Sequence, residues 1–281
     1  MDSKRQVELV VLSDVHLGTS GCQAVELLKY LKSIRPKTLV LNGDIIDIWQ
    51  FNKRYFPKSH LKIVKHLIGL ASESCTVYYI TGNHDEMFRK FSGMKIGKLR
   101  ILDELKLELN GKKVWFFHGD VFDVVMQYSK WLAKLGAIGY DGLIWLNTKI
   151  NWIIRLLDMQ PVSFSKKIKQ SVKGAVKFIN TFEETAASVA LRKGIDTIVC
   201  GHIHHPEMRE IQIDKHTVSY LNSGDWIENL SSLEYNKGLW RIFNFRKDFV
   251  VQTDEPEVEF EKMIDMEMKD LFNNMLIEFH H

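Results

Sequence analysis

Cysteine is scarce and poorly placed for a structural role. The three cysteines, Cys22, Cys75 and Cys200, are scattered and odd in number, with no CxxC spacing. That argues against a disulfide framework and a thiolate zinc site, and fits a reducing, cytoplasmic setting. No apolar run approaches the roughly 20 residues a membrane-spanning helix needs. MDSKRQ leads straight into a strand-like stretch, so a soluble protein that at most rests on a membrane surface is expected. A strong charge of one sign is also missing. Against 38 Lys and Arg stand 35 Asp and Glu, a net charge of +3, too small for a generic nucleic-acid binder, so any anion recognition must be local. Internal repeats and low-complexity stretches are absent as well. What the chain does have is core: 45% hydrophobic residues over 281 positions, enough for one large α/β domain or two small ones.

Four short β-branched runs end abruptly in polar clusters: VELVVLSDVH, TLVLNGD, TVYYITGNHD and TIVCGHIHH. Helix-like stretches from Gln23 to Ile34 and from Ser59 to Ser74 separate the first three, a length suited to βαβ crossovers and therefore to parallel pairing. LKLELNGKKVWFF alternates on both sides of Asn110-Gly111, a strong hairpin signal. EMREIQI, TVSYLNSGD, LWRIFNF and DFVVQT follow as further, mostly antiparallel strands. The segment 121–192 has helical period, three tryptophans (Trp131, Trp145, Trp152) and a lysine series, and reads as a helical cap inserted into a body formed by 1–120 and 193–253. The tail 254–281 is acidic and ends in one amphipathic helical pattern.

Taken singly, each polar cluster has a plain explanation. Asp14, Asp44 and Asp47 could cap helices, and His118 could be a satisfied core histidine. Together they form a constellation. In an extended segment residues i and i+2 point the same way, so Asp14 and His16 can offer a carboxylate and an imidazole to one ion. Gly43-Asp44, Gly82-Asn83-His84-Asp85, His118-Gly119-Asp120 and Gly201-His202-Ile203-His204 also sit at strand ends. The C-terminal ends of parallel strands converge on one crevice. Seven donors from Asp, Asn and His exceed the needs of one ion and suit two ions sharing a carboxylate.

In order, DVH, GD, GNHD, HGD and GHIH resemble the five motif blocks of the calcineurin-like metallophosphoesterase superfamily, over about Val7 to Phe245 apart from the cap. The resemblance implies a four-layer αββα sandwich with an inserted helical cap. It implies that Asp14, His16 and His204 hold one divalent ion and Asn83, His118 and His202 a second, with Asp44 bridging. By the same resemblance the ions are manganese, with iron or zinc as alternatives. His84 then steadies or protonates the leaving oxygen, with Asp85 orienting its ring, and Asn83, His84 and His202 also face the phosphate.

LSDVHLG, LNGDIIDIW and the helical insertion between HGD and GHIH further resemble the bacterial UDP-2,3-diacylglucosamine pyrophosphohydrolases of lipid A synthesis. Such an enzyme releases UMP and the acylated sugar 1-phosphate. Lys166, Lys169, Lys173 and Lys177 fall on one helical face of the cap and are candidates to grip pyrophosphate or anionic headgroups, unless they are simply a solvated face. The cap is then the expected point of peripheral contact with the inner face of the cytoplasmic membrane. No nucleic-acid partner is expected. One departure bears on substrate: the lipid A enzymes carry Arg after the GN of the third block, and this chain has His84, as general phosphodiesterases do. Another phosphodiesterase or phosphatase activity, and a non-catalytic scaffold of the same fold, are the alternatives.

Overall fold

The computed structural model describes residues 4–49, 56–122, 179 and 182–249; through Asp248 these lie in one compact unit. Strands β1 (Arg5–Leu12), β2 (Ile34–Asn42) and β3 (Thr76–Ile80) lie side by side and parallel. They are joined through α1 (Ala24–Ser33) and α2 (Lys58–Ser72), close to the two crossover helices expected from the sequence. On one edge the sheet continues through β5 (Leu99–Leu102) to β4 (Lys95–Ile96), and on the other through β11 (Ser231–Asn236) to β12 (Leu239–Asn244), seven strands among the described residues.

A second sheet holds five strands in the order β6 (Leu105–Leu109), β7 (Lys112–Phe116), β8 (Thr197–Cys200), β10 (His216–Asn222) and β9 (Glu207–Ile213). The Asn110-Gly111 turn joins β6 to β7 as expected, with positive φ at both residues. β8 runs parallel to both β7 and β10, while β9 is antiparallel to β10.

Alternation dictates the layers. In β1, Leu9 and Val11 turn to one face, where they meet Val114, Phe116, Val199 and Leu221 of the second sheet in a shared core. On the outer face of the first sheet α1 buries Ala24, Leu27, Tyr30 and Leu31, a three-and-four spacing that makes one apolar stripe. On the outer face of the second sheet the helical residues 182–192 bury Phe182, Ala186, Ala187 and Ala190 against Trp115, Ile198 and Tyr220. Each fully buried large apolar side chain contributes about 1.5–3 kcal/mol. The result is a helix–sheet–sheet–helix sandwich.

Phe122, Phe182, Ala186, Ala187 and Ala190 belong to this core, so the ends of the segment expected as a cap are built into the body. The remainder of that segment, with Trp131, Trp145 and Trp152, lies outside the described residues, as does the acidic tail 254–281. The expected strand DFVVQT does not begin at Asp248, which closes a short helical turn, Phe245–Asp248. β11, with sequence SSLEYN, was not anticipated because three of its five buried positions, Ser231, Ser232 and Glu234, are polar. Ser231 Oγ donates to the Ser223 carbonyl at 2.8 Å, Ser232 Oγ donates to Tyr30 Oη at 2.9 Å, and Glu234 receives Arg5 and Arg241.

Candidate metal centre

Five strand ends meet at the seam between the two sheets. Asp14 and His16 follow β1, Asp44 follows β2, and Asn83 and His84 follow β3, whereas His118 follows β7 and His202 and His204 follow β8. Backbone bonds lace the ends together: Asp14 N–H donates to the Gly43 carbonyl at 3.1 Å, His16 N–H to Asp44 at 2.9 Å, and Gly201 N–H to His118 at 3.0 Å. Asn42 crosses from one sheet to the other, its Nδ2 donating to the Phe117 carbonyl at 3.0 Å. Donor atoms of three overlapping groups lie within 4.8 Å of one another: Asp14, His16 and His204; His16, Asp44 and His84; and Asp44, His118 and His202. Asp44 Oδ2 is 3.2 Å from His118 Nε2 and 3.9 Å from His16 Nε2, which sets this oxygen between the first and third groups.

The local backbone is not extended. Asp14, His16, Asp44, His202 and His204 all have φ between 51° and 65°, a left-handed conformation that is uncommon outside glycine and collects at functional sites. The convergence of Asp14 with His16 therefore comes from a coiled loop, and the extended-strand geometry assumed from the sequence does not hold there. His205 is turned out of the cluster, toward Glu207 at 3.6 Å. Two glycines make room by having no side chain. A Cβ on Gly82 would lie 2.3 Å from Asp44 Oδ1 and 2.6 Å from Asp44 N, and one on Gly201 would lie 2.4 Å from Asp14 Oδ2.

Hydrogen bonds aim the rings. A carbonyl can only accept, so the 2.9 Å contact of His118 Nδ1 with the Asn42 carbonyl places the proton on Nδ1 and turns Nε2 inward as a lone-pair donor. His16 Nδ1 likewise donates to Asp47 Oδ2 at 3.1 Å, leaving Nε2 inward. The carboxylates are fixed from behind: Asp14 Oδ2 accepts from His202 N–H at 3.0 Å and Asp44 Oδ1 from His84 N–H at 2.8 Å.

This geometry coincides with a family relationship. The model of the calcineurin-like phosphoesterase family matches residues 7–206, a span that contains every residue of the cluster. The chain belongs to that family. Among curated proteins this phosphoesterase is similar to the UDP-2,3-diacylglucosamine hydrolase of Aliivibrio fischeri (strain MJ11), with 22% identity over 86% of this chain and 99% of that one. It is also similar to the enzyme of the same name from Stenotrophomonas maltophilia (strain K279a), with 26% identity over 82% and 96%. Among solved structures an archaeal phosphodiesterase aligns with TM-score 0.40 and 12% identity, covering 84% of this chain and 98% of that one.

The phosphoesterase's donor set suits divalent cations. Asp14 Oδ1, His16 Nε2, Asn83 Oδ1 and His118 Nε2 are buried and have no hydrogen-bond partner. Such orphaned polar atoms are costly unless something else satisfies them. Asp14 Oδ1 does approach His204 Nε2 to 3.1 Å, an ion-pair distance without hydrogen-bond alignment. Burial pushes the Asp14 and Asp44 carboxyls up, but the neighbouring histidines outweigh it and hold both well below the usual carboxylate range. Burial lowers His204 and His118; Asp14 lifts His204 to about 9, and Asp44 with Asp14 lifts His118 well above an ordinary imidazole. The pocket thus holds anionic oxygens that call for buried positive charge, and cations taking up the imidazoles would displace those protons.

One expected role is reassigned by the geometry. Asp85 is wholly buried but turns away from His84: its carboxylate accepts from Ile45 N–H at 2.9 Å, Gly82 N–H at 2.6 Å and Tyr79 Oη at 2.6 Å. It ties the third block to the loop after Asp44. Asp47 stands beside the His84 ring instead, its Oδ2 2.8 Å from Nδ1, an ion-pair distance without hydrogen-bond alignment. Sequence reasoning left Asp47 as a helix cap, yet no helix follows it among residues 43–49. Asp225 also went unremarked. It caps the turn carrying Asn229, which donates to the His204 carbonyl at 2.8 Å; NSGD at the end of β10 is a polar cluster of the same kind as the other five. Lys166, Lys169, Lys173 and Lys177 lie outside the described residues.

Proposed function

We propose that this phosphoesterase is a dinuclear metal-dependent phosphohydrolase that cleaves the pyrophosphate of UDP-2,3-diacylglucosamine to UMP and 2,3-diacylglucosamine 1-phosphate. The observation that carries the hydrolase reading is the overlap of the three His and Asp groups at the strand ends. The similarity to UDP-2,3-diacylglucosamine hydrolases over nearly their whole length supports the substrate. Asp14, His16 and His204 would hold one ion and Asn83, His118 and His202 the other, with Asp44 serving both. Their mixed N and O character suits manganese, iron or zinc, and manganese is proposed. When bound, such a pair lowers the pKa of water and neutralises phosphate oxygens.

The protein's own groups do the rest. Asp47 pairs with His84, and burial, which lowers the imidazole, is outweighed by Asp47 and Asp44, so its pKa lies above the ordinary value. A protonated His84 would donate to the leaving oxygen. Trp49 packs on the same ring, with centroids 4.5 Å apart, and shields it from one side. Lys166, Lys169, Lys173, Lys177 and the rest of 123–178 are proposed to bind the pyrophosphate and acyl chains, and to touch the inner face of the cytoplasmic membrane. No helix among the described residues is long and apolar enough to cross a membrane.

His84 supports a second reading. An acid with a raised pKa serves poor leaving groups, so a phosphodiesterase or phosphatase acting on another lipid or nucleotide is the rival. Purified protein with Mn²⁺ is expected to release UMP from the diacylated sugar nucleotide far faster than it cleaves simple diesters. The reverse order assigns the rival function, and no turnover of either makes the chain a scaffold.

A further inference from the structure

Among the described residues, nine large hydrophobic side chains are exposed, and six of them, Trp49, Met87, Phe91, Met94, Ile96 and Val121, collect around one stretch beside the centre. That stretch begins two residues after His84. It comprises a 3-10 helix, Glu86–Phe91, with no buried residue, and the β4–β5 hairpin at the open edge of the seven-stranded sheet. Trp49 joins it by packing on His84, and Val121 by following Asp120, which is ion-paired with Arg89. Met87, Phe91, Met94 and Ile96 are 47%, 37%, 42% and 60% exposed. The backbone is well tied despite that exposure: Gly93 N–H donates to the Ile101 carbonyl at 2.8 Å and Ile101 N–H to Met94 at 3.0 Å.

Charge identifies the occupant. Between residues 86 and 100 stand Arg89, Lys90, Lys95, Lys98 and Arg100 against Glu86 alone. Arg89 is taken up by Asp120, whereas none of the other four is ion-paired among the described residues. Lys90 Nζ and the Arg100 guanidinium sit over aromatic rings, 5.1 Å from the Phe91 centroid and 5.9 Å from that of Tyr78, cation–π contacts that set positive charge directly against apolar surface without neutralising it. Apolar side chains of Met, Phe and Ile interleaved with unpaired cations on a rigid edge match the boundary between acyl chains and anionic headgroups. An acidic protein surface would satisfy the lysines but would leave the methionines and Phe91 unmatched.

We propose that residues 86–100 form a membrane-docking edge that seats the phosphoesterase body on an anionic lipid surface, with the mouth of the metal centre beside it. This does not depend on which phosphate ester the centre cuts. The test is flotation of the full chain with vesicles of phosphatidylcholine, alone or mixed with phosphatidylglycerol, using Lys95→Glu/Lys98→Glu and Met87→Ser/Phe91→Ser variants. Binding to the anionic vesicles that weakens with salt is expected. Each lysine is worth about fivefold, so the charge variant should lose about 25-fold or more, and the apolar variant should also lose affinity. Both should keep the parent's turnover of a soluble phosphodiester and its thermal midpoint.

Equal binding to neutral vesicles would overturn the proposal. So would binding unchanged in both variants, which would assign the contact to another part of the chain. Failure to bind, together with self-association abolished by Met87→Ser/Phe91→Ser, would make a second copy the occupant. Loss of all turnover with vesicle binding intact would sink the hydrolase reading and leave the docking edge standing.

Discussion

Replacing Asp47 by Asn probes the centre without touching a proposed metal ligand. Asp47 Oδ2 serves two rings, His16 Nδ1 at 3.1 Å and His84 Nδ1 at 2.8 Å, and the residue is 1% exposed. Asparagine keeps the size but offers one carbonyl oxygen, and its NH₂ can only donate. One oxygen already faces both rings, so what the substitution removes is the charge that stabilises a protonated His84, and an amide turned the other way sets its NH₂ against the His16 N–H. Loss of support behind a ligating histidine costs about 10–100-fold in metal affinity, and loss of a positioned general acid costs about 10²–10⁴ in rate, or roughly 3–5 kcal/mol.

The sign of the pH effect follows. A general acid works while protonated, so activity falls as pH rises through its pKa; with Asp47 gone, the His84 value drops and the alkaline limb of kcat moves to lower pH. The assay is kcat against pH at saturating Mn²⁺, with metal content measured on the same samples to separate loading from chemistry. A kcat unchanged within about threefold and an unmoved alkaline limb would refute the Asp47–His84 argument. Unchanged metal affinity would refute the support given to His16.

Further outcomes are expected elsewhere. His205→Ala should retain both metals, because the ring faces Glu207, while His202→Ala should lose one equivalent by elemental analysis. Chelated protein should lose thermal stability between about pH 7 and 10. The stabilisation from the His204 proton is complete below the ordinary value of 6.5 and is lost as pH climbs through about 9. Metal-loaded protein, with neutral coordinating imidazoles, should lack that slope. Glu234→Gln breaks a buried carboxylate away from Arg5, Arg241 and Tyr30; because the arginine ends are half-exposed, the loss is about 2 kcal/mol, a fall of roughly 4–8 °C in Tm. Burial raises that carboxyl, but the two arginines outweigh it and hold it below its ordinary 4.5. The gap between parent and variant should therefore shrink as pH falls below about 4.5.

The parallel core and the site were legible because both rest on local patterns. β-Branched runs ending in DVH, GD, GNHD and GHIH announce strands whose ends carry polar groups, and an apolar stripe at Ala24, Leu27 and Leu31 announces the covering helix. What escaped depends on distant partners. β11 looks like a polar loop until Tyr30, Arg5 and Arg241 are brought to it. Asp47 looks like a cap until His16 and His84 arrive from two other strands. The left-handed backbone at Asp14, His16 and His204 shows in residue type only as a weak preference of Asp and His for that region, which cannot fix the conformation of a given residue. Asp85 was misread because adjacency in sequence to His84 was mistaken for contact. The cation-rich hairpin after it went unnoticed for a different reason: Lys95–Ile96 and Leu99–Leu102 are too short to show a period.

The candidate centre draws Asp14, His16, Asp44 and Asn83 from the loops of one sheet, and His118, His202 and His204 from the other. Occupancy by ions would therefore act as a rivet through two plates that are otherwise joined mainly by oily contact. Sliding of one plate over the other would separate the two sets of donors, so metal loading should bring amide exchange in both sheets to a common, slower rate. Shear between the sheets becomes a coordinate along which stability and metal affinity change together, and a mutation deep in the interior at Phe116 or Val11 can loosen the ions without touching them.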